Sequence, residues 1–254
     1  MSLSQLAELV DEAAKTASAI PQLTESGSLT VEEAYAVQTL SIARRLARGE
    51  RRVGMKMGLT SRVKMTQVGV SEMVWGRLTD SMRVEEGGPI SRARFVHPRV
   101  EPEIAYLLKK PLSGKVSNAE ALAAIEAVAP ALEIIDSRYR DFKFALPDVI
   151  ADNSSSSGFV LGSWHRADTD VSNLGIIVEA DGRVVQVGSS AAILGDPIRS
   201  LVAAARLVAQ WGETLPAGSI VLAGGATAAH PLAVGMKIRS TTQNLGSVSF
   251  FVEA

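Results

Sequence analysis

The 254-residue chain is predicted to be an α+β protein, in which a helical N-terminal region, residues 1–50, packs on a β-rich domain, residues 51–254. Two patterns with apolar residues three and four positions apart occupy the first fifty residues. From Arg51 onward, short β-type runs are broken by glycine and proline, and no long linker separates them. These observations favour a curved mixed or antiparallel β-body that closes partly on itself.

The N-terminal helices are predicted from apolar spacing and from capping residues. The first pattern places apolar side chains on one helix face, at Leu3, Leu6, Leu9, Val10, Ala13, Ala14 and Ala17. After a loop, Thr30 and Glu33 have the spacing of a capping box. The second helix is therefore expected over residues 31–47, and Gly49 ends it.

The β-rich domain is predicted from β-branched and aromatic runs that lie between turn signals. Strands are expected over residues 53–59, 74–78, 95–108, 131–138, 158–164, 220–222, 236–238 and 247–252. Asp181-Gly182 between two apolar runs predicts a β-hairpin. Capping residues predict helices over 60–69, 117–128 and 197–210. The serine run 154–157 is expected to form a loop over a site.

Composition excludes several classes of function. The net charge of −1 indicates no basic surface for nucleic acid. The chain has no cysteine, which excludes disulfides, thiolate metal sites and a cysteine nucleophile. Its three histidines, His97, His165 and His230, are scattered, so a histidine zinc site is not expected. No apolar run is long enough to span a bilayer, and the N-terminus is unlike a secretory signal, so we expect a cytoplasmic protein with no membrane partner.

Three glutamates are candidate metal ligands. Glu101 and Glu103 are two positions apart in an extended run, so their side chains leave the same strand face about 7 Å apart. Glu133 lies within a second apolar run, where an unpaired acid is costly to bury. Mg²⁺ prefers carboxylate oxygens, and three of them would leave positions for water and substrate. The alternative is a solvated edge strand, on which an acid pair at this spacing is common.

Other residues suggest a site around these acids. Lys56 lies between methionines and glycines, where a lysine can pair with a carboxylate ligand, although most lysines at strand ends are simply exposed. Small residues at 224–227 follow a strand and can present backbone N–H groups to an anion, as ordinary turns also do. The charged run 136–143 is mostly interpreted as a salt-bridged surface turn, in which Lys143 or Arg140 could hold a substrate carboxylate.

Five ordered segments together resemble the fumarylacetoacetate hydrolase superfamily, in the branch that holds 2-hydroxypentadienoate hydratases and 4-oxalocrotonate decarboxylases. The segments are residues 53–61, 97–105, 133–138, 151–155 and 245–248, so the resemblance covers nearly the whole chain. It implies the mixed β-roll or sandwich of that superfamily's C-terminal domain, with residues 51–254 as the catalytic domain.

The resemblance also implies a site. Mg²⁺ or Mn²⁺ would be held by Glu101, Glu103 and Glu133, with Lys56 as an acid/base or charge partner. The substrate would be a 2-oxo acid that chelates the metal. Residues matching substrate-binding positions of the branch are Leu59, Val74, Lys143, Ser155, Gly225 and Thr227.

Position 74 decides between the two activities of the branch. Hydratases carry aspartate there for water addition, whereas this chain has Val74, which cannot exchange a proton. We therefore expect metal-dependent decarboxylation of (3E)-2-oxohex-3-enedioate to 2-oxopent-4-enoate or 2-hydroxypenta-2,4-dienoate, in meta-cleavage degradation of aromatic compounds. Association with the pathway's hydratase and a homo-oligomer are also expected.

Three alternatives remain open at the level of sequence. One is a 2-hydroxypentadienoate hydratase, and another is a structural partner subunit of such an enzyme. The third is a C–C hydrolase of acylpyruvates, but the His/Glu pair on a lid helix that is usual in those enzymes is not seen in this sequence.

Overall fold

The computed structural model describes residues 1–61, 65 and 72–254 of the chain. Among them the helices are α1 (Leu3–Thr16), α2 (Val31–Ala47), α3 (Asn118–Ala124), α4 (Leu146–Ala151) and α5 (Pro197–Gln210). The first seven strands are β1 (Arg52–Gly58), β2 (Val74–Thr79), β3 (Arg83–Val84), β4 (Pro89–Ser91), β5 (Arg99–Leu108), β6 (Ile125–Ile135) and β7 (Ser156–Leu161). The rest are β8 (His165–Arg166), β9 (Gly175–Ala180), β10 (Arg183–Ser189), β11 (Ile220–Leu222), β12 (His230–Pro231), β13 (Lys237–Thr242) and β14 (Gly246–Glu253). The short helix predicted at 60–69 lies mostly outside the described residues.

The two N-terminal helices form as the sequence predicts and pack on the sheet. Capping boxes fix their starts: Ser2 with Gln5 at α1, and Thr30 with Glu33 at α2. Asp11, which is buried on α1, pairs with Arg44 of α2 and with Arg48 just after that helix. Apolar residues of both helices belong to one hydrophobic cluster with side chains of β1, β2 and β5, so burial of this shared face holds the helices in place.

A nine-stranded mixed sheet carries the middle of the chain. Its strand order is β2-β1-β11-β5-β6-β7-β3, with β12 paired to β5 and β8 paired to β6. The longest pair is β5 with β6, which are antiparallel and are neighbours in the centre of the sheet. The strand β11 arrives late in the chain yet lies between β1 and β5, so it brings distant segments together.

A second sheet of five strands, in the order β10-β9-β13-β14-β4, covers part of the first. The apolar residues between the sheets include Leu132 and Ile134 from β6, and Val248 and Phe250 from β14. The predicted hairpin is present, since β9 and β10 are joined at Asp181-Gly182, where both residues have positive φ. This packing gives the sandwich-like body that the sequence analysis expects.

Several local predictions differ from the structure. The strand predicted over 95–108 begins only at Arg99, and the one predicted over 131–138 spans Ile125–Ile135. The helix predicted to reach residue 128 ends at Ala124, because β6 begins at Ile125 and its pairing with β5 overrides alanine's helix propensity. Residues 136–139 are buried, whereas a surface turn was expected, because Asp136 and Arg138 find hydrogen-bond partners inside the fold. Helix α4 was not predicted. In the described ranges, no helix combines the length and the apolarity that crossing a membrane requires.

Candidate active site

Strand register brings the three predicted acidic ligands together. Glu101 on β5 lies directly opposite Glu133 on β6, and Glu103 lies two positions further along β5. All three side chains therefore leave the same face of the nine-stranded sheet. One carboxylate oxygen from each residue lies within 4.8 Å of those of the other two. Three carboxylates so close together can bind one divalent cation, with one oxygen of each residue as a ligand.

Burial makes this arrangement unfavourable unless a cation is nearby. Glu103 and Glu133 are buried, whereas Glu101 is half-buried. Burial, and then the charge of Glu133, raise the pKa of Glu103 well above its usual range. Burial also raises the pKa of Glu133, although Lys56 opposes this effect. Within the described part of the chain, Glu103 Oε1 and Glu133 Oε1 accept no hydrogen bond. Carboxylate oxygens are hard ligands, and buried ones that accept no hydrogen bond suit Mg²⁺ or Mn²⁺.

Lys56 supplies positive charge next to the acids. Strand β1 turns Met55 and Met57 into the hydrophobic core and directs Lys56 to the opposite face, which the carboxylates share. The Lys56 Nζ lies 3.1 Å from Glu133 Oε2 and donates a hydrogen bond to the Ser154 carbonyl oxygen at 3.0 Å. Burial lowers the pKa of this ammonium, but the three carboxylates outweigh burial and raise it. The side chain is therefore charged in this environment.

The loop after β11 supports two of the acids through its glycines. The Gly224 N–H donates a hydrogen bond of 2.6 Å to Glu103 Oε2. A Cβ at Gly225 would lie 2.6 Å from the Glu101 carboxyl carbon, so only glycine allows the loop to approach that closely. Gly224 has a φ of +110° and packs against Thr60. The loop thus holds the Glu103 carboxylate by a hydrogen bond and limits the position of the Glu101 carboxylate by close contact.

An unusual turn covers the site beside Lys56. Asn153, Ser154 and Ser155 all have left-handed φ angles, between 50° and 59°, although none of them is glycine. The turn lies on Gly76 of β2, where a Cβ would overlap the Asn153 carbonyl oxygen. Each such residue costs about 1 kcal/mol, and strained backbone of this kind is concentrated at functional sites. Of the serine run predicted as a loop, Ser154 and Ser155 lie in this turn next to Lys56, whereas Ser156 and Ser157 begin strand β7.

A buried ion pair precedes this turn. Arg138 Nε donates to Asp152 Oδ1 at 2.5 Å, and Arg138 Nη2 donates to the Asp152 carbonyl oxygen at 2.7 Å. Burial raises the pKa of Asp152 to about 6, although Arg138 opposes the shift. The pair holds the chain where it enters the strained turn. This pair was not predicted from the sequence, in which the dense charge of the run 136–143 is its one visible sign.

Most of the remaining predicted residues lie near this face. Val74 is buried directly opposite Gly58, and a Cβ at Gly58 would lie 2.9 Å from Val74 Cγ2 and 3.7 Å from Lys56 Nζ. Leu59, just after β1, has a left-handed φ of 56°. Ser155 belongs to the left-handed turn, and Thr227 is buried beside Gly188. Trp75, the next residue on β2, faces the core and stacks on Tyr35.

Lys143 is the predicted residue that the structure connects least to the acids. It is exposed after a short 3₁₀ turn and makes no ion pair with any group in the described ranges. Its neighbour Phe142 packs under the guanidinium of Arg99, 3.9 Å from the ring centre. Arg99 precedes Glu101 by two positions on β5, so it shares the acid face, and sequence analysis missed it.

Comparisons with known proteins agree with this geometry. The chain is 64% identical over 250 residues to a 4-oxalocrotonate decarboxylase from a Pseudomonas species, covering 98% of both proteins. It is 34% identical over 244 residues to a 2-hydroxyhexa-2,4-dienoate hydratase from Comamonas testosteroni, covering 94% of this chain and 92% of the hydratase. No family model matches the chain.

The structural comparison adds a bound metal in a similar protein. The 4-oxalocrotonate decarboxylase from Pseudomonas putida G7, complexed with magnesium and adipate, superposes with a TM-score of 0.96 at 40% identity. The match covers 98% of this chain and 97% of that structure. The fold class predicted from the sequence is therefore confirmed.

Proposed function

Because the chain belongs to the 4-oxalocrotonate decarboxylase family, in the hydratase and decarboxylase branch of the fumarylacetoacetate hydrolase superfamily, we propose that it is a metal-dependent carboxy-lyase. Its substrate is (3E)-2-oxohex-3-enedioate, and its products are CO₂ and 2-hydroxypenta-2,4-dienoate or its keto form, in meta-cleavage degradation of aromatic compounds. The observation that carries this proposal is the cluster of Glu101, Glu103 and Glu133 with Lys56 on one sheet face.

The acids of the cluster can hold the metal ion, and a similar protein accepts a chain of the substrate's length. Glu101, Glu103 and Glu133 would hold Mg²⁺ or Mn²⁺ through carboxylate oxygens. When bound, this cation supplies a Lewis acid that stabilises negative charge on a substrate oxygen. Adipate, found in the similar structure with magnesium, is a six-carbon dicarboxylate like the proposed substrate. A site that accepts such a chain has room for both carboxylates of 2-oxohex-3-enedioate.

Decarboxylation breaks the bond between C5 and C6 of the substrate. The electron pair of that bond passes through the C3–C4 double bond to the C2 oxygen, and C6 leaves as CO₂. Lys56, held by Glu133 and the Ser154 carbonyl, places a positive charge on the face where this oxygen would lie. We propose that Lys56 Nζ donates a proton to the C2 oxygen of the dienolate, giving 2-hydroxypenta-2,4-dienoate, and that solvent then restores the proton.

Val74 distinguishes this reaction from hydration. It is apolar and buried on the Lys56 face, so it offers no group that could exchange a proton with water. Loss of CO₂ is favoured when the departing carboxylate is poorly solvated. We propose that Val74 and Leu59 form the apolar wall of the pocket, with Ser155, Gly225 and Thr227 around the 2-oxo acid. Lys143, or Arg99 over the neighbouring Phe142 ring, would approach the distal carboxylate.

We also propose that the protein is a homo-oligomer and associates with the hydratase that consumes its product. The dienol product tautomerises in water, so direct transfer to the next enzyme preserves it. The related hydratases act on substrates of the same 2-hydroxydienoate class, according to their names. Sedimentation of the purified chain, alone and mixed with its hydratase, tests this association, because a complex sediments faster than either protein.

Product analysis tests the catalytic proposal. Purified protein with Mg²⁺ and 2-oxohex-3-enedioate is expected to release one CO₂ per substrate, and EDTA is expected to stop the release. Lys56→Met is expected to lower kcat about 10²–10⁴-fold, the usual loss when a general acid is removed. Full activity in EDTA would refute the metal role, and formation of 4-hydroxy-2-oxopentanoate without CO₂ would favour the hydratase.

A further inference from the structure

A polar cavity lies outside the cluster of acids. It has a volume of about 280 Å³ and is lined by parts of α1, the end of α2 and the segments around Ser81, Phe95 and Ser157. None of the residues predicted to bind metal or substrate lines it. Its cationic side chains are Lys15, Arg45, Arg48, Arg94 and Arg138. Among the described residues, two carboxylates line the same space, those of Glu50 and Asp136, so the described lining side chains carry a net formal charge of +3.

Both carboxylates already have hydrogen-bond donors. Asp136 accepts from the backbone N–H of Val96 at 2.9 Å and from that of His97 at 2.5 Å. Glu50 accepts a hydrogen bond of 2.5 Å from the Thr79 hydroxyl. These contacts hold the two acids toward their own neighbours. Neither acid forms an ion pair with a cation of the cavity in the described part of the chain.

The cations of the cavity are unequally neutralised. Arg48 pairs with Asp11 through two hydrogen bonds of 2.7 Å, and Lys15 lies 3.5 Å from Glu12. Arg138 uses three of its five N–H donors on Asp152 and Ser157, so others stay available.

Arg45 and Arg94 differ from these three cations. Across residues 1–61, 65 and 72–254, neither side chain forms an ion pair or a hydrogen bond. Arg94 is exposed, whereas Arg45 is partly buried near Arg138. Burial and the like charge of Arg138 lower the pKa of Arg45, although Glu50 and Asp11 oppose this shift.

Arg45 and Arg94 line the same cavity, and neither side chain forms an ion pair within the described residues, an arrangement that favours an anion. A guanidinium presents a planar set of donors that matches the oxygens of carboxylate and phosphate, and such charge-assisted bonds are about twice as strong as neutral ones. The volume exceeds that of several water molecules, at roughly 30 Å³ each, and is therefore enough for a small oxyanion.

We propose that this cavity binds a small doubly charged oxyanion, a phosphate or a dicarboxylate, through Arg45, Arg94 and Arg138. The site is separate from the metal cluster and stands independently of the reaction proposed above. Its ligand is recognised by charge and by oxygen geometry, since the cavity offers cationic donors and few apolar side chains.

Calorimetric titration of the metal-free protein tests the site. Inorganic phosphate and succinate are the two probes, each titrated at constant ionic strength adjusted with chloride. Saturable binding of one equivalent is expected for at least one probe. Binding of phosphate alone identifies a phosphate ligand, and binding of succinate alone identifies a dicarboxylate ligand.

Two variants locate the binding, and a third serves as the matched control. Arg45→Gln and Arg94→Gln each remove one charge without breaking any side-chain hydrogen bond seen in the described residues, so both should fold. Each is expected to weaken probe binding at least tenfold. Arg183→Gln removes the same charge from the exposed edge strand β10 and should bind like wild type.

Thermal unfolding gives a second readout of the same site. Ligand that binds only the folded state raises the unfolding temperature, so the binding probe should stabilise wild type and Arg183→Gln equally and Arg45→Gln clearly less. The proposal is wrong if neither probe gives saturable binding, or if Arg45→Gln binds and is stabilised as wild type is.

Discussion

Glu133 shows how much chemistry a single residue can reveal. It lies in an apolar run on β6, where an unpaired charge would be strongly unfavourable, and this conflict predicts a cationic partner. The structure supplies one in Lys56, 3.1 Å away, and brings Glu101 and Glu103 alongside. The apolar surroundings of Glu133 therefore marked it as a candidate, and the strand register explains why Glu101, Glu103 and Glu133 meet.

Val74 is the residue at which the choice between decarboxylation and hydration is most directly tested. Val74→Asp would put a proton-exchanging carboxyl opposite Gly58, near Lys56. We expect CO₂ release to fall at least tenfold and water addition to 2-hydroxypenta-2,4-dienoate to become detectable, measured by chromatography of products. Val74→Asn is the matched control, since it is polar and of the same size but carries no acid. Equal product profiles for the two variants would contradict the role of position 74.

At the scale of elements, the glycine loop after β11 determines where Glu101 lies. In Gly225→Ala, the new methyl group would displace the Glu101 carboxylate, because the available distance is 2.6 Å. We expect Mg²⁺ affinity to fall about 10–100-fold, by analogy with loss of groups that orient metal ligands, with the fold retained. Isothermal titration with Mg²⁺ measures this change.

Gly175→Ala is the control for the glycine loop. A Cβ at Gly175 would lie 3.6 Å from the Gln243 side chain, which is an ordinary contact. Mg²⁺ affinity should therefore not change. Unchanged affinity in Gly225→Ala would show that the loop does not position Glu101.

Elements defined by local signals were predictable from the sequence. Helix α2 starts and ends as its capping box and Gly49 indicate, and the Asp181-Gly182 hairpin forms as expected. The boundary between α3 and β6 was wrong, because strand pairing with β5 outweighs a local preference for helix. The left-handed turn at 153–155 was expected only as a loop, since three non-glycine residues in that conformation have no sequence signal.

At the scale of the whole molecule, the site depends on topology. Lys56 comes from β1, Glu101 and Glu103 from β5, and Glu133 from β6. Strand β11 lies between β1 and β5, although it comes more than 100 residues after both. No local pattern predicts that order, so without the resemblance to a known family the grouping of Lys56 with the acids could not be derived from spacing.

The acid cluster also makes stability depend on pH and on metal. In the metal-free folded protein the pKa of Glu103 is raised, whereas in the unfolded chain it returns to about 4.3. At pH values between the two pKa values, Glu103 keeps its proton in the folded state and has lost it in the unfolded state. The free energy of unfolding therefore falls as pH rises through this range. A bound cation requires the carboxylate form, so Mg²⁺ should stabilise the protein more at higher pH.

Urea unfolding at several pH values, with Mg²⁺ or with EDTA, measures this dependence. The stabilisation by Mg²⁺ is expected to increase with pH through the titration of Glu103. Glu103→Gln has no such proton, so its stability in EDTA should depend less on pH. A constant effect of Mg²⁺ at every pH would show that the cluster does not bind the ion.

The most direct measurement is Mn²⁺ binding, followed by electron paramagnetic resonance, together with CO₂ release, in Glu133→Gln. Glu126→Gln, an exposed change on the same strand, is its matched control. We predict that Glu126→Gln binds one Mn²⁺ and releases CO₂ as wild type does, while Glu133→Gln loses both. Full Mn²⁺ binding or CO₂ release by Glu133→Gln would contradict the claim that these glutamates hold the catalytic metal.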